Sequence, residues 1–226
     1  FVNSFDPQLG AKRQQSFMDY SLSISHGNQI DLNDGDKSPK LGYLFSLTYK
    51  TEYKYFDDMA FGEYQKPQDP DNYEMQYATI TNGENGQRNI LAGLLGGIAY
   101  KNEHNKYKLT AMHLQNGESK AGIFNINNSP SAVGQSGYEG LSHTLEYNER
   151  SLTNILLNGT HVTEGSSWEI DWRVSPTFST SDEPDIRNTT FTLSENGDPH
   201  FNAGAGGFPT RRWRELTELN NTSKID

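Results

Sequence analysis

The chain has 226 residues, a formal net charge of −10, 33% hydrophobic and 12% aromatic residues, and no cysteine. Its mean hydropathy of −0.81 is strongly polar, yet aromatic side chains are plentiful, unlike in disordered segments, which are poor in them. These features exclude disulfide scaffolds and thiol-ligated metals, argue against nucleic acid as the main partner, and exclude helical membrane proteins, because no apolar run approaches ~18 residues.

Apolar residues recur with period two along most of the chain, which predicts strands. In 16–32, Met18, Tyr20, Leu22 and Ile24 alternate with Asp19, Ser21, Ser23 and Ser25. In 40–57, Leu41, Tyr43, Phe45, Leu47 and Tyr49 share a parity, and in 87–101 so do Ile90, Ala92, Leu94, Gly96, Ile98 and Tyr100. The strand 105–117 is ambiguous, since Tyr107, Leu109 and Ala111 compete with Met112 and Leu114 for the apolar face. In 141–161, Leu145, Tyr147, Ile155 and Leu157 keep one parity across the polar interruption NERS. The pattern is cleanest in 166–181, where Trp168, Ile170, Trp172, Val174, Pro176 and Phe178 alternate with Glu169, Asp171, Arg173, Ser175 and Thr177. Pro176 removes a ladder donor, so it is expected at a bulge, an edge or a rim, and its distance from Trp168 favours the rim.

The connections alternate in length. Compact turns (NDGDKSP, NEHN, VTEGSS) fall at one end of an up-and-down meander, and long polar tracts near 58–86, 118–140 and 182–226 fall at the other. Short turns at one end, long loops at the other and apolar-out, polar-in strands are the pattern of outer-membrane barrels. Lipid cannot satisfy backbone or polar side chains, so a spanning sheet closes on itself and turns its apolar face outward. The expected fold is therefore all-β: an antiparallel up-and-down transmembrane β-barrel, represented by about six strands of a larger plugged barrel. Tyr43, Tyr49, Tyr100, Trp168 and Trp172 are expected at the lipid interface, where a ring with a polar tip is best placed. A soluble secreted β-sandwich that binds glycans or a surface partner would give the same alternation. The barrel is favoured over it by strands of ten or more residues, against ~5–6 in globular proteins, and by three long loops at one end.

The run NERSLTNILLNGTH, Asn148 to His161, followed by WEIDWRVSPTFSTSDEPDIR, Trp168 to Arg187, resembles the barrel of TonB-dependent outer-membrane receptors, particularly the Bacteroidetes type. The stretches SLSISHGNQIDL and KLGYLFSLTYKTEYKYFDD resemble early barrel strands of the same family, and FPTRRWREL resembles one of its loop segments. The resemblance extends over most of the chain, and its most specific part is the ERSLT and DEPD-R combination. It implies a plugged barrel of about 22 strands in the outer membrane of a Gram-negative bacterium, importing a large or scarce nutrient such as a glycan, peptide or metal chelate. The implied partners are the plug and remaining strands of the same receptor, the TonB-ExbB-ExbD complex acting through that plug, membrane lipid and a surface lipoprotein lid. The sequence carries no plug, no TonB box and no terminal barrel strand, so it reads as the N-terminal part of such a barrel and is expected to transport nothing alone.

No catalytic, cofactor or metal site is expected. DLNDGDK, Asp31 to Lys37, places Asp36 where a calcium loop needs glycine, the histidines lack ligand spacing, and no nucleophile motif occurs. Carboxylate pairs such as Asp57 and Asp58 suit a glycoside hydrolase only in the sense that any acidic chain would. Glu149, Arg150, Asp182, Glu183, Asp185 and Arg187 are expected to meet at one rim as a salt-bridged brace for the loop bases, through Glu149–Arg187 and Arg150–Asp185 pairs. In FPTRRWRELTEL, Trp213, Leu216 and Leu219 have helical spacing behind a capping Thr210. AGAGGF, Ala203 to Phe208, reads as a flexible loop, and Asn-x-Ser/Thr sequences at Asn127, Asn158, Asn188 and Asn220 carry little weight in so Asn-rich a chain.

Overall fold

The computed structural model describes residues 5–35, 38–67, 69–131, 137–163, 165, 168–201 and 209–226. Every regular element is a strand: β1 (Tyr20–Asp31), β2 (Lys40–Gln65), β3 (Gln76–Lys101), β4 (Asn105–Asn128), β5 (Tyr138–Val162), β6 (Glu169–Leu193), β7 (Pro199–His200) and β8 (Thr210–Ile225). They form one antiparallel sheet in which β1 to β6 pair in chain order, while β7 and β8 both pair with the far edge of β6. The sheet curls into a half-barrel.

Side-chain exposure identifies the two faces. Along β3 to β5, Leu94, Ile98, Leu109, Ile155 and Leu157 are exposed, while their strand neighbours Leu95, Gly97, Thr110, Leu156 and Asn158 are partly covered. Side chains converge on the inside of a curl and spread on its outside, so the first set lies on the convex face and the second on the concave face. Among the described residues Ala78 is the one buried hydrophobic side chain. No second sheet covers either face there, and the tryptophans are not enclosed: Trp168 is 75% and Trp213 53% exposed.

The strands run well past their expected ends. The tracts at 58–86, 118–140 and 182–226, expected as long loops, are mostly strand, and the connections at that end shrink to 66–75, 129–137 and, on either side of β7, 194–198 and 201–209. Alternating hydrophobicity reports where a side chain is sheltered from water, whereas cross-strand hydrogen bonds form equally between polar residues such as Asn116↔Arg150, Glu118↔Asn148 and Lys120↔Glu146 of β4 and β5. The segment with helical spacing is also a strand. In β8, Leu219 opposes Phe178 of the convex face and Leu216 opposes Ser181 of the concave face, so the three apolar residues do not share one stripe. The AGAGGF stretch lies outside the described residues.

Two irregularities have local causes. Asp185, at φ 122°, is an extra residue in β6: the β5–β6 register shifts between Leu145 and Glu149, and the β6–β8 register shifts between Pro184 and Ile186. Pro176 lies neither at a rim nor at a register shift. Its row contains Asn221 of β8, and its parity is that of the convex apolar residues around it. The β5 register passes from Asn154↔Thr177 to Leu157↔Val174 unshifted, with no ladder partner for Pro176. Asn154 spans the gap, its Nδ2 donating to Ser175 Oγ (2.9 Å), Thr177 Oγ1 (2.7 Å) and the Pro176 carbonyl (3.4 Å). The amide thus ties the residues around Pro176 to β5 through their side chains and the proline carbonyl, at a point where the ladder lacks a donor.

Candidate functional site

The convex face carries an apolar belt, built by register rather than by any one strand; it is deepest on β2 and β3, and His113 and Thr153 limit it on β4 and β5. One row runs Tyr43, Ile98, Leu109, Leu157 and Val174 across β2 to β6. Four residues toward the long end of the strands, Ile24, Leu47 and Leu94 of β1 to β3 align. From Leu41 to Tyr49 the belt spans about 26 Å along β2, at ~3.3 Å per residue.

Aromatic rings mark both margins of the belt. At the short-turn margin, Tyr100, Tyr107, Gly159 and Trp172 are successive partners. Gly159 leaves room for the Trp172 ring, whose carbons lie within 2.7 Å of where a Cβ would stand. Trp172 Nε1 donates to His161 Nε2 at 2.9 Å, and Tyr107 meets the His161 ring edge-on at 5.3 Å. At the other margin Tyr49 stacks on Tyr20 at 5.8 Å. Tyr43, one row inside the first margin, shares a 2.9 Å hydrogen bond with His26, and Trp168 stands exposed just before β6. The sequence pattern named Tyr43, Tyr49, Tyr100, Trp168 and Trp172 but missed Tyr20, Tyr107 and His161. Their parity was readable, but their partners depend on cross-strand register.

The six residues expected to form one brace are divided between the faces. On the concave face Arg150 Nε donates to Asn148 Oδ1 (3.1 Å), Asn148 Nδ2 donates to Glu183 Oε1 (3.2 Å), and Arg214 donates to Glu183 Oε2. On the convex side, Arg187 Nε and Arg211 Nη1 both donate to Asp185 Oδ2, at 2.9 and 3.3 Å. Glu149 instead accepts from Gln115 (2.5 Å) and Tyr147 (3.3 Å), and stands opposite Asp182. Neither Glu149–Arg187 nor Arg150–Asp185 forms. The extra residue at Asp185 changes the parity of β6, putting Arg150 opposite Ser181 and Arg187 opposite Leu145. Tyr147 has its pKa raised by burial first, then by the Glu149 charge.

Residues ahead of β1 lie against the same rim as a strap, a contact with no local sequence signal. The Asp6 carboxylate pairs with Arg187 Nη1 at 3.1 Å, Arg187 also donates to the Gln8 carbonyl at 2.6 Å, and Arg211 donates to the Asp6 carbonyl. Phe5 packs on Trp213. Farther along, the Ala11 N–H donates to His143 Nδ1 at 3.3 Å, and Arg13 donates to Glu84 at 2.8 Å. Asp6 is held below the usual carboxylate range by the Gln8 N–H first and by Arg187 next. Glu84 is lowered by hydrogen bonds from Arg13 and then Tyr55, and His143 is lowered by burial.

A cavity of about 160 Å³ opens on the concave face beside Arg150, Glu183, Arg212 and Arg214. Among the described residues no group of three or more His, Cys, Asp or Glu side chains could hold a metal ion. Among the described residues no helix is long and apolar enough to cross a membrane, which does not bear on strands. No protein-family model, curated protein or solved structure matches the chain.

Proposed function

We propose that this chain is a stretch of a transmembrane β-barrel in the outer membrane of a Gram-negative bacterium, belonging to a TonB-dependent transporter that imports a large or scarce nutrient. The observation that carries the membrane part of this reading is the convex belt with aromatic margins. Its length along β2, about nine residues from Leu41 to Tyr49, suits the ~9–11 residues of a spanning strand, and an exposed apolar surface of this extent requires a partner that is itself apolar. Trp172, Tyr100, Tyr107 and Tyr49 are the interface anchors in this reading. The transporter part rests on the ERSLT and DEPD-R resemblance, together with the polar groups Lys108, Asn154, Asn158 and Glu183 on a concave face that also carries Leu95 and Leu156. The plug, the TonB complex and a lipoprotein lid belong to the parent receptor, and the chain has no catalytic role.

Strand direction supports a larger barrel. β1 and β8 run the same way, because β1 to β6 alternate and β8 is antiparallel to β6. A sheet in lipid must have no open edge, and antiparallel closure between β8 and β1 takes an odd number of further strands.

The test is depth-dependent quenching by brominated lipids in vesicles, with variants that retain either Trp172 or Trp213 as the single tryptophan. Trp172 should be quenched and Trp213, opposite Pro184 and far along the strand, should not. Equal quenching of both, or none of either, would discard the membrane reading. Transport is tested separately, by uptake assays on the parent receptor with and without TonB.

A further inference from the structure

The concave cavity beside β5, β6 and β8 has charges left over. Glu183 is occupied by Asn148 and Arg214, and Glu118 by Lys120 at 3.0 Å. Arg150 uses only its Nε. Arg212 and Glu146, which line the same cavity, have no ion pair or hydrogen bond among the described residues. All three of these side chains are exposed. The unspent groups are therefore two guanidinium forks and one carboxylate, a surplus of one positive charge in a chain whose net charge is −10.

We infer that this cavity binds a small monoanionic carboxylate bearing an adjacent hydroxyl, of the α-hydroxy acid class. A planar guanidinium fork matches a carboxylate in two parallel hydrogen bonds, and Arg150 and Arg212 offer two such forks. Glu146 accepts a hydrogen bond from the ligand's hydroxyl and repels a second negative charge, which selects against phosphate dianion. The volume, about 160 Å³, equals roughly five waters at ~30 Å³ each, enough for the acid group and its neighbouring carbon. Nothing in this inference depends on where the sheet sits, so it stands or falls separately from the membrane reading.

Isothermal titration of the full-length protein that contains this chain, folded in detergent, at pH 7 and low salt, with lactate, its neutral amide and inorganic phosphate provides the test. Lactate should bind with a millimolar Kd, with lactamide and phosphate at least about tenfold weaker. Arg212→Gln and Arg150→Gln should each weaken lactate by about tenfold or more, while Lys108→Gln, on the same face but outside the cavity lining, should leave it unchanged. Arg212 is exposed, so its variant keeps the strand signal in circular dichroism. Lactamide binding as well as lactate, phosphate binding more tightly than lactate, or an Arg212→Gln variant with unaltered affinity would each overturn the proposal.

Discussion

Arg187 and Arg211 stand opposite one another on β6 and β8 and donate to one oxygen, Oδ2 of Asp185. Two like charges are held together by a carboxylate that sits on a backbone conformation unfavourable to any residue but glycine, at φ 122°. Replacing Asp185 by alanine should cost about 2–3 kcal/mol, the scale of hydrogen bonds to charged groups. Asp185→Gly loses the same ion pairs but relieves the backbone, so it should be about 1 kcal/mol less harmful. Urea unfolding midpoints of the two variants decide this.

The strap ahead of β1 should loosen on acidification in two windows. His143 accepts the Ala11 N–H through Nδ1, so only the neutral ring makes the contact, and its folded pKa is depressed. That contribution is complete above the ordinary histidine pKa of ~6.5 and fades as pH falls through the lowered value. Asp6 and Glu84 are also depressed; their contributions are complete above ~4 and disappear below it. The protection factor of the Ala11 amide, measured by hydrogen exchange against pH, should fall twice, and His143→Gln should abolish the upper step.

Charge placed on the belt should be tolerated unequally by the two faces. Leu94 faces out and Leu95 faces in, on adjacent positions of β3. On the lipid reading, Leu94→Arg costs about 2–4 kcal/mol, and Leu95→Arg costs less because the concave side is wet. Folding yields in vesicles, read from heat-modifiable gel mobility, should rank Leu94→Arg far below Leu95→Arg. Equal yields would argue for water on both faces.

Gly159 is required by its neighbour. A methyl group there would stand 2.6 Å from Trp172 Cε2, so Gly159→Ala must push the ring out of its 2.9 Å hydrogen bond with His161. The expected cost is about 1–3 kcal/mol, typical of overpacking, with a shift in the Trp172 emission maximum. An unchanged spectrum would show that the ring is not seated on the glycine.

Much of this architecture was readable before any coordinates. Parity in 40–57, 87–101 and 166–181 assigned Phe45, Leu94 and Val174 to one face, and the alternating turns implied the meander. Three things were not readable. Strand length beyond the belt left no hydrophobic signature, because Asn116 to Asn128 pair through their backbones whatever their side chains. The brace was misassembled because a single inserted residue, Asp185, reverses parity for everything after it. The cavity draws on Arg212 of β8 and Arg150 of β5, residues that share no local pattern and line one cavity only because β8 folds back on β6.

The protruding strands bear on how an acidic chain could sit on an anionic surface. For a sheet seated at the belt, β2 continues from Lys50 to Gln65, about 50 Å farther along the strand at ~3.3 Å per residue. Fixed charges lose sight of each other beyond a screening length of ~8 Å in physiological salt. Asp57, Asp58 and Glu63, carried on that outlying stretch, therefore exert almost no repulsion on lipid phosphates below. Height, in this arrangement, insulates these three carboxylates from a bilayer at the belt.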